Sequence, residues 1–193
     1  MSIVEQTGRH FHWKDLWTER KIVLLGMMLL VPMLYAAEVP GMQFVFGCLF
    51  LALMLFVGAM DFRYGLIFNR FLLVMGLIGI GLDFAGWLAD PFDGMAGAFL
   101  GSGLLLLVRW ASRGGMGGGD VKYAFVLGLW LGWEMMLLAL FLAFLGGGVA
   151  AVFLICCHWK GDRVPFGPFL SMGGCIAFLY GNRLLQWYEG FFS

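Results

Sequence analysis

Charge is scarce in this 193-residue chain: Asp, Glu, Lys and Arg make up 12% of it, twelve acidic and twelve basic, for a formal net charge of zero. A chain so balanced offers no electrostatic case for nucleic acid. Histidine is almost missing. His10, His12 and His158 are the three, no H-E-x-x-H spacing joins them, and metal-dependent hydrolysis has no support. The four cysteines, Cys48, Cys156, Cys157 and Cys175, sit inside apolar runs and form no C-x-x-C pair. They read as free thiols, not as a zinc site or a disulfide framework. Neither G-x-x-x-x-G-K-[ST] nor a G-x-G-x-x-G register fits the glycine-rich stretch at Gly114–Asp120, so nucleotide binding fails too. No metal and no cofactor is expected.

What fills the chain is apolar. Hydrophobic residues are 62% of it, and several runs approach the length of a membrane span. That is too much apolar surface for one soluble core and reads as an all-α, polytopic membrane bundle. The first 21 residues are polar, with no cleavable apolar core, so they are not a secretory signal peptide. They read as a cytoplasmic stub with Trp13 and Trp17 on its apolar side, and residues 22–193 as the membrane-embedded domain. Seven segments are expected to cross the lipid: 22–38, 42–60, 71–88, 95–111, 121–132, 135–157 and 166–186. Most suit a core of about 30 Å at 1.5 Å per residue. The fifth is short, which puts its Asp120 end below the membrane surface.

Basic residues orient this map. With the N-terminus inside, the cytoplasmic side receives Arg9, Lys14, Arg20, Lys21, Arg63, Arg70, Arg109, Arg113, Lys122, Lys160 and Arg163, and only Arg183 falls toward the other side. This positive-inside bias places the C-terminus outside, with Glu38, Asp90–Asp93, Glu134 and Glu189 on the outer loops. Trp87, Trp110, Trp130, Trp133, Trp159 and Trp187 are expected in an interfacial belt. Glycines at Gly76, Gly79 and Gly146–Gly148 are expected to let helices pack closely.

Three unusual stretches gather on the inner face. "AMDFRYGLIFNR" ends the second span at Asp61, "GGMGGGDVKYAF" starts the fifth at Asp120, and "DRVPFGPFLSMGG" opens the seventh. An ionisable group at membrane depth costs at least about 2.5 kcal/mol, which makes it a functional hypothesis by default. Two carboxylates brought together in a dry site cannot both ionise easily and share a proton. One then acts as general base on a water while the other donates to a carbonyl, which is aspartic-protease chemistry. Each acid also has a plainer reading. Asp61 is equally a solvated helix end paired with Arg63 or Arg70, and Asp120 a helix N-cap. Asp83 is expected to snorkel to the outer interface. Lys122 points about 200° from Asp120 on a helix and is assigned to lipid headgroups. The dense glycines before Asp120 let the backbone lie close to another chain, which would admit an extended substrate strand.

Together the three stretches resemble the type IV prepilin peptidases, membrane aspartic proteases of the GxGD type. The resemblance covers residues 40–185 and rests on Asp61 with Arg63 and the Ile67–Asn69 turn, on Gly117, Gly118, Gly119 and Asp120, and on Pro165–Leu170. It implies a six-helix core plus one N-terminal helix, and catalysis by Asp61 and Asp120 without metal. Arg63, Asn69, Pro165, Gly167 and Pro168, with the three glycines, are assigned to the substrate side. The implied substrates are prepilin or pseudopilin precursors, cut at the cytoplasmic face of the bacterial inner membrane. One departure is Phe68, where the family usually has proline. Another is the N-terminal cytoplasmic domain with a cysteine tetrad carried by larger members, so a peptidase-only form is expected here. The competing reading is a small proton-coupled transporter or channel, with the glycine stretch as a broken helix and the acids as a relay. A third is an assembly subunit in which glycines only pack helices.

Overall fold

The computed structural model describes residues 41–86, 90–157 and 165–192, which form five helices and no strand. They are α1 (Gly41–Tyr64), α2 (Asn69–Phe84), α3 (Pro91–Ala111), α4 (Gly118–Cys156) and α5 (Gly167–Phe192). Three segments are long and apolar enough to cross a membrane: Phe44–Tyr64, Pro91–Ala111 and Gly118–Cys156. Length and composition therefore fit an integral membrane protein.

Five helices stand against the seven expected spans, for two reasons. The stub at 1–21 and the first span at 22–38 lie outside the described residues, as do Trp87, Trp159, Lys160, Asp162 and Arg163. The expected segments 121–132 and 135–157 run together in α4, whose 39 residues are helical except at Gly132 (φ 74°, ψ 176°). A straight helix of that length would measure about 58 Å, roughly twice the apolar core. Its neighbours show that it folds back at Gly132. Tyr123 of the first arm bonds Ser171 of α5, while Ala139 and Ala143 of the second arm lie against Gly173, just beyond Ser171. Residues 123 and 143 are thus at nearly the same level, on antiparallel arms.

Glycine is required at the break. A side chain at φ 74° is strained, and a Cβ there would also strike the Asp93 carboxylate. Asp93 Oδ1 accepts the Trp133 N–H at 3.3 Å, giving the second arm a partner for a donor that the break leaves over.

Close backbone approach does the rest. In lipid the apolar tails compete with helix–helix contact, so small residues decide which helices meet. A Cβ on Gly97 of α3 would lie 2.6 Å from the Gly132 carbonyl carbon and 2.8 Å from the Gly128 oxygen of α4. Gly76, Gly79, Gly146 and Gly147 also face neighbouring side chains, as packing glycines should, whereas Gly148 faces open space. Two expectations are corrected here. Asp83 does not snorkel: it is 4% exposed and turned toward α3, in room left by Gly94. Trp130 leaves the interfacial belt for the core. It stacks on Phe50 with ring centroids 5.2 Å apart and donates its indole N–H to the Met75 carbonyl at 3.1 Å, over the space at Gly79. Trp110, Trp133 and Trp187 are exposed.

The helix directions position the site. Gly58 meets Ser171, Met54 meets Gly174 and Phe50 meets Phe178, so α1 and α5 run antiparallel. Tyr123 meets Met54 and Trp130 meets Phe50, so the first arm of α4 also opposes α1. The end of α1 and the beginnings of α4 and α5 therefore converge at one end of the bundle.

Candidate active site

Asp61 is fixed at both its backbone and its side chain. α1 stops through Gly65, in the left-handed region at φ 61°, whose N–H donates to the Asp61 carbonyl at 2.8 Å. That is the αL helix stop. The side chain, 6% exposed, leaves α1 for α5, where Oδ2 accepts the Gly167 N–H at 2.8 Å. Gly167 opens α5, so this donor has no partner within its own helix. A carboxylate there also meets the positive end of the helix dipole. A Cβ on Gly167 would collide with the Asp61 carboxyl group. Pro168 follows in the first turn, where a missing N–H breaks no helical bond. Pro165 and Pro168 are both half-buried.

Asp120 is the third residue of α4 and is 7% exposed. The N-cap is Gly117, with extended φ −65° and ψ 140°, so Asp120 is not itself the cap. Instead its carboxylate reaches back to the Gly117 backbone, the return half of a capping box. Its Oδ1 is buried and accepts no hydrogen bond among the described residues. The charges of Asp61 and Arg109 both act on it, so the two carboxylates are electrostatic neighbours.

The connection before Asp120 is ordered by hydrogen bonds. At the end of α3 the Gly114 N–H donates to the Arg109 carbonyl at 2.9 Å and the Arg113 N–H to that of Trp110 at 3.1 Å. This is a Schellman stop with Arg113 in the left-handed region at φ 51°. Arg109 Nη1 then donates to the Met116 carbonyl at 3.0 Å, latching the loop from below. The space at the three glycines is taken by the protein itself. A Cβ would lie 2.8 Å from Asp120 Oδ2 at Gly117, 2.9 Å from Arg109 Nη1 at Gly118, and 3.2 Å from the Ile67 Cβ at Gly119.

The other expected residues are more scattered. Arg63 is half-buried in the last turn of α1. Asn69 is exposed at the start of α2, and its Oδ1 accepts the Lys122 ammonium at 3.1 Å. Lys122, assigned to headgroups from the sequence, thus ties α4 to α2. Phe68, the departure from the family turn, has φ −74° and ψ 116°. A proline would fix φ in that same range, so the turn keeps the expected backbone without the ring. Sequence reasoning named Ile67 only as part of the family turn, and missed Arg109, Tyr123 and Ser171. The signal for two of them was helical spacing: Tyr123 lies three residues after Asp120, and Ser171 four after Gly167.

The sequence profile of the Type IV leader peptidase family matches residues 48–152, more than half of the chain, including both acids and Arg109. The chain belongs to that family. Proteins named prepilin leader peptidase/N-methyltransferase are similar to it. That of Aeromonas hydrophila is 34% identical over 131 residues, 64% of this chain and 40% of the relative. That of Bacillus subtilis (strain 168) is 33% identical over 147 residues, 72% and 57%. That of Escherichia coli (strain K12) is 31% identical over 148 residues, 74% and 64%. The chain therefore spans only 40% of the first relative's length. No solved structure matches it. The profile stops at Val152, short of α5, so the part that Gly167 plays rests on its contact with Asp61.

Proposed function

We propose that this chain is a membrane aspartic endopeptidase that removes the short basic leader from type IV prepilin-like or pseudopilin precursors. The observation that carries the reading is the pair of buried carboxylates, Asp61 and Asp120. Each is steadied by a backbone group at the start of another helix or its own, and one oxygen, Asp120 Oδ1, has no hydrogen-bond partner among the described residues. A buried acceptor left without a partner costs about 1–3 kcal/mol, and a catalytic role is one of the reasons a fold keeps such an atom. The names of the relatives supply the substrate class.

In this mechanism one carboxylate is ionised and the other protonated. The ionised member takes a proton from water as the oxygen attacks the scissile carbonyl carbon, and the protonated member gives its proton to the carbonyl oxygen. The tetrahedral diol then collapses. The C–N bond breaks, the amine leaves with a proton from the first acid, and the diol returns a proton to the second. Water is the only co-reactant. The Gly114–Gly117 segment, exposed at its three glycines, and the Pro165–Pro168 turn flank the two acids, and the substrate strand runs between them beside Arg63 and Asn69.

The site faces the cytoplasm in this reading. Arg63, Arg70, Arg109, Arg113 and Lys122 share the acids' end of the bundle by their places in the helices, and Arg183 lies in the half of α5 away from that end, in keeping with a positive-inside protein of the bacterial inner membrane. The decisive test replaces Asp61 or Asp120 by Asn and follows a prepilin reporter coexpressed with the enzyme, reading leader removal by mass. Each variant should stay in the membrane and lose cleavage. Full cleavage by either one removes that acid from the mechanism.

A further inference from the structure

One helical turn inside the site, three helices meet at a pair of hydroxyl groups. Tyr123 is fully buried, and its hydroxyl lies 2.8 Å from Ser171 Oγ, itself 5% exposed. The Tyr123 O–H also reaches Met54 Sδ at 3.0 Å. Ser171 in turn lies against α1, since a Cβ on Gly58 would stand 2.9 Å from its Oγ. Each participant is one or two turns from a group that holds an acid. Tyr123 follows Asp120 by three residues on α4, Ser171 follows Gly167 by four on α5, and Gly58 and Met54 precede Asp61 by three and seven on α1. At these spacings the residues lie on the same helix face as the groups they follow or precede. Neither hydroxyl is open to a substrate. A polar bond in this place costs desolvation, and an apolar pair would pack the three helices as well.

We propose that the Tyr123–Ser171 hydrogen bond is a brace that fixes the separation of the Asp61 and Asp120 carboxylates, which makes both residues positioning residues for the hydrolysis. The inference rests on the peptidase reading of those two acids. The brace joins the start of α4, which carries Asp120, to the start of α5, whose first N–H holds Asp61. Without it the two helix starts keep their packing but lose the contact that sets their register across the site. A shift of about 1 Å in reacting groups costs roughly 100-fold in rate.

The test measures kcat and KM for prepilin cleavage by the purified full chain in lipid, comparing Tyr123→Phe, Ser171→Ala and the double variant with wild type. Each hydroxyl that remains has a second group to turn to. Tyr123 retains Met54, and the carbonyl four residues back is within reach of a serine in a helix, so the variants are expected to melt within a few degrees of wild type. Each single variant should lose about 10- to 100-fold in kcat with KM within about twofold. The double variant should lose no more than either single, because one bond is removed in all three. An unimpaired kcat in both singles, losses that multiply in the double, or a loss matching the unfolded fraction would each overturn the brace. Should Tyr123→Phe fail to fold, Ser171→Ala decides alone. A folded wild type inert toward prepilins would instead overturn the peptidase reading beneath it.

Discussion

Replacing Gly167 by alanine separates activity from stability in a way that the contact with Asp61 makes quantitative. The added Cβ would stand 2.8 Å from Asp61 Cγ and 2.9 Å from Asp61 Cβ. Carbon atoms in ordinary contact sit about 3.5–4.0 Å apart, so the carboxylate and the start of α5 must part by roughly 0.7–1 Å. That displacement breaks the 2.8 Å bond from the Gly167 N–H, a bond to a charged group of the kind that contributes about 1.5–3 kcal/mol. It also moves one of the two acids proposed to react by close to 1 Å, for which a loss of about 100-fold in rate is expected. The helix itself gains, because alanine is better than glycine in a helix by up to about 1 kcal/mol. The net cost is about 0.5–2 kcal/mol, so purified Gly167→Ala should melt only a few degrees below wild type, by circular dichroism in detergent, while leader removal falls by about two orders of magnitude. Retention of more than about a third of wild-type kcat/KM would refute the placement of Asp61 by this N–H.

Gly132→Ala should lower stability by about 1–3 kcal/mol, since it forces a side chain into φ 74° and against Asp93; an unchanged denaturation midpoint would mean that the break in α4 relaxes freely. Lys122→Gln removes an exposed contact with Asn69, so stability should move by less than about 0.5 kcal/mol and cleavage by less than about twofold. A large loss of cleavage in that variant would place Lys122 on the substrate. Phe68→Pro suits the backbone already present, at φ −74°, and should leave cleavage and membrane expression near wild type, as measured with the same reporter.

The bundle was legible because lipid imposes a coarse rule. A spanning segment must be long, apolar and helical; the segments expected at 42–60, 95–111 and 166–186 are the helices α1, α3 and α5, of which α1 and α3 are long and apolar enough to cross a membrane. The fold-back in α4 was visible as two apolar segments, although a single glycine does the work of the loop expected between them. What periodicity did not convey was which polar residues turn inward. Asp83 and Trp130 look like interface residues by position along their segments. Their burial depends on Gly94 and Gly79, which make room from other parts of the chain. The same holds at the site. Asp61 and Asp120 stood out as acids at helix ends, and the Pro165–Pro168 turn as an oddity, but no spacing showed that Gly167 donates to Asp61. The glycines before Asp120 were read as room for a substrate strand. Their neighbours are Asp120 itself, Arg109 and Ile67, so closeness within the protein already accounts for all three.

That closeness explains how two acids are held together in a place that resists them. Like charges at short range in a poorly solvated site repel, and desolvation adds to the cost. The fold offsets this with helix beginnings. Asp61, from the end of α1, reaches the first N–H of α5, and Asp120 reaches back to the Gly117 backbone at the start of its own helix. Both carboxylates thus sit at positive ends of helix dipoles, with the Arg109 guanidinium as a further positive charge acting on Asp120. These interactions occupy Oδ2 of Asp61 and leave Asp120 Oδ1 without a bond among the described residues. A salt bridge to each acid would also have lowered the electrostatic cost, but at the loss of the oxygen that the proposed general-base chemistry needs. Glycine at 117 and 167 is the requirement this solution places on the sequence, because only a residue without Cβ lets the backbone come so near a carboxylate.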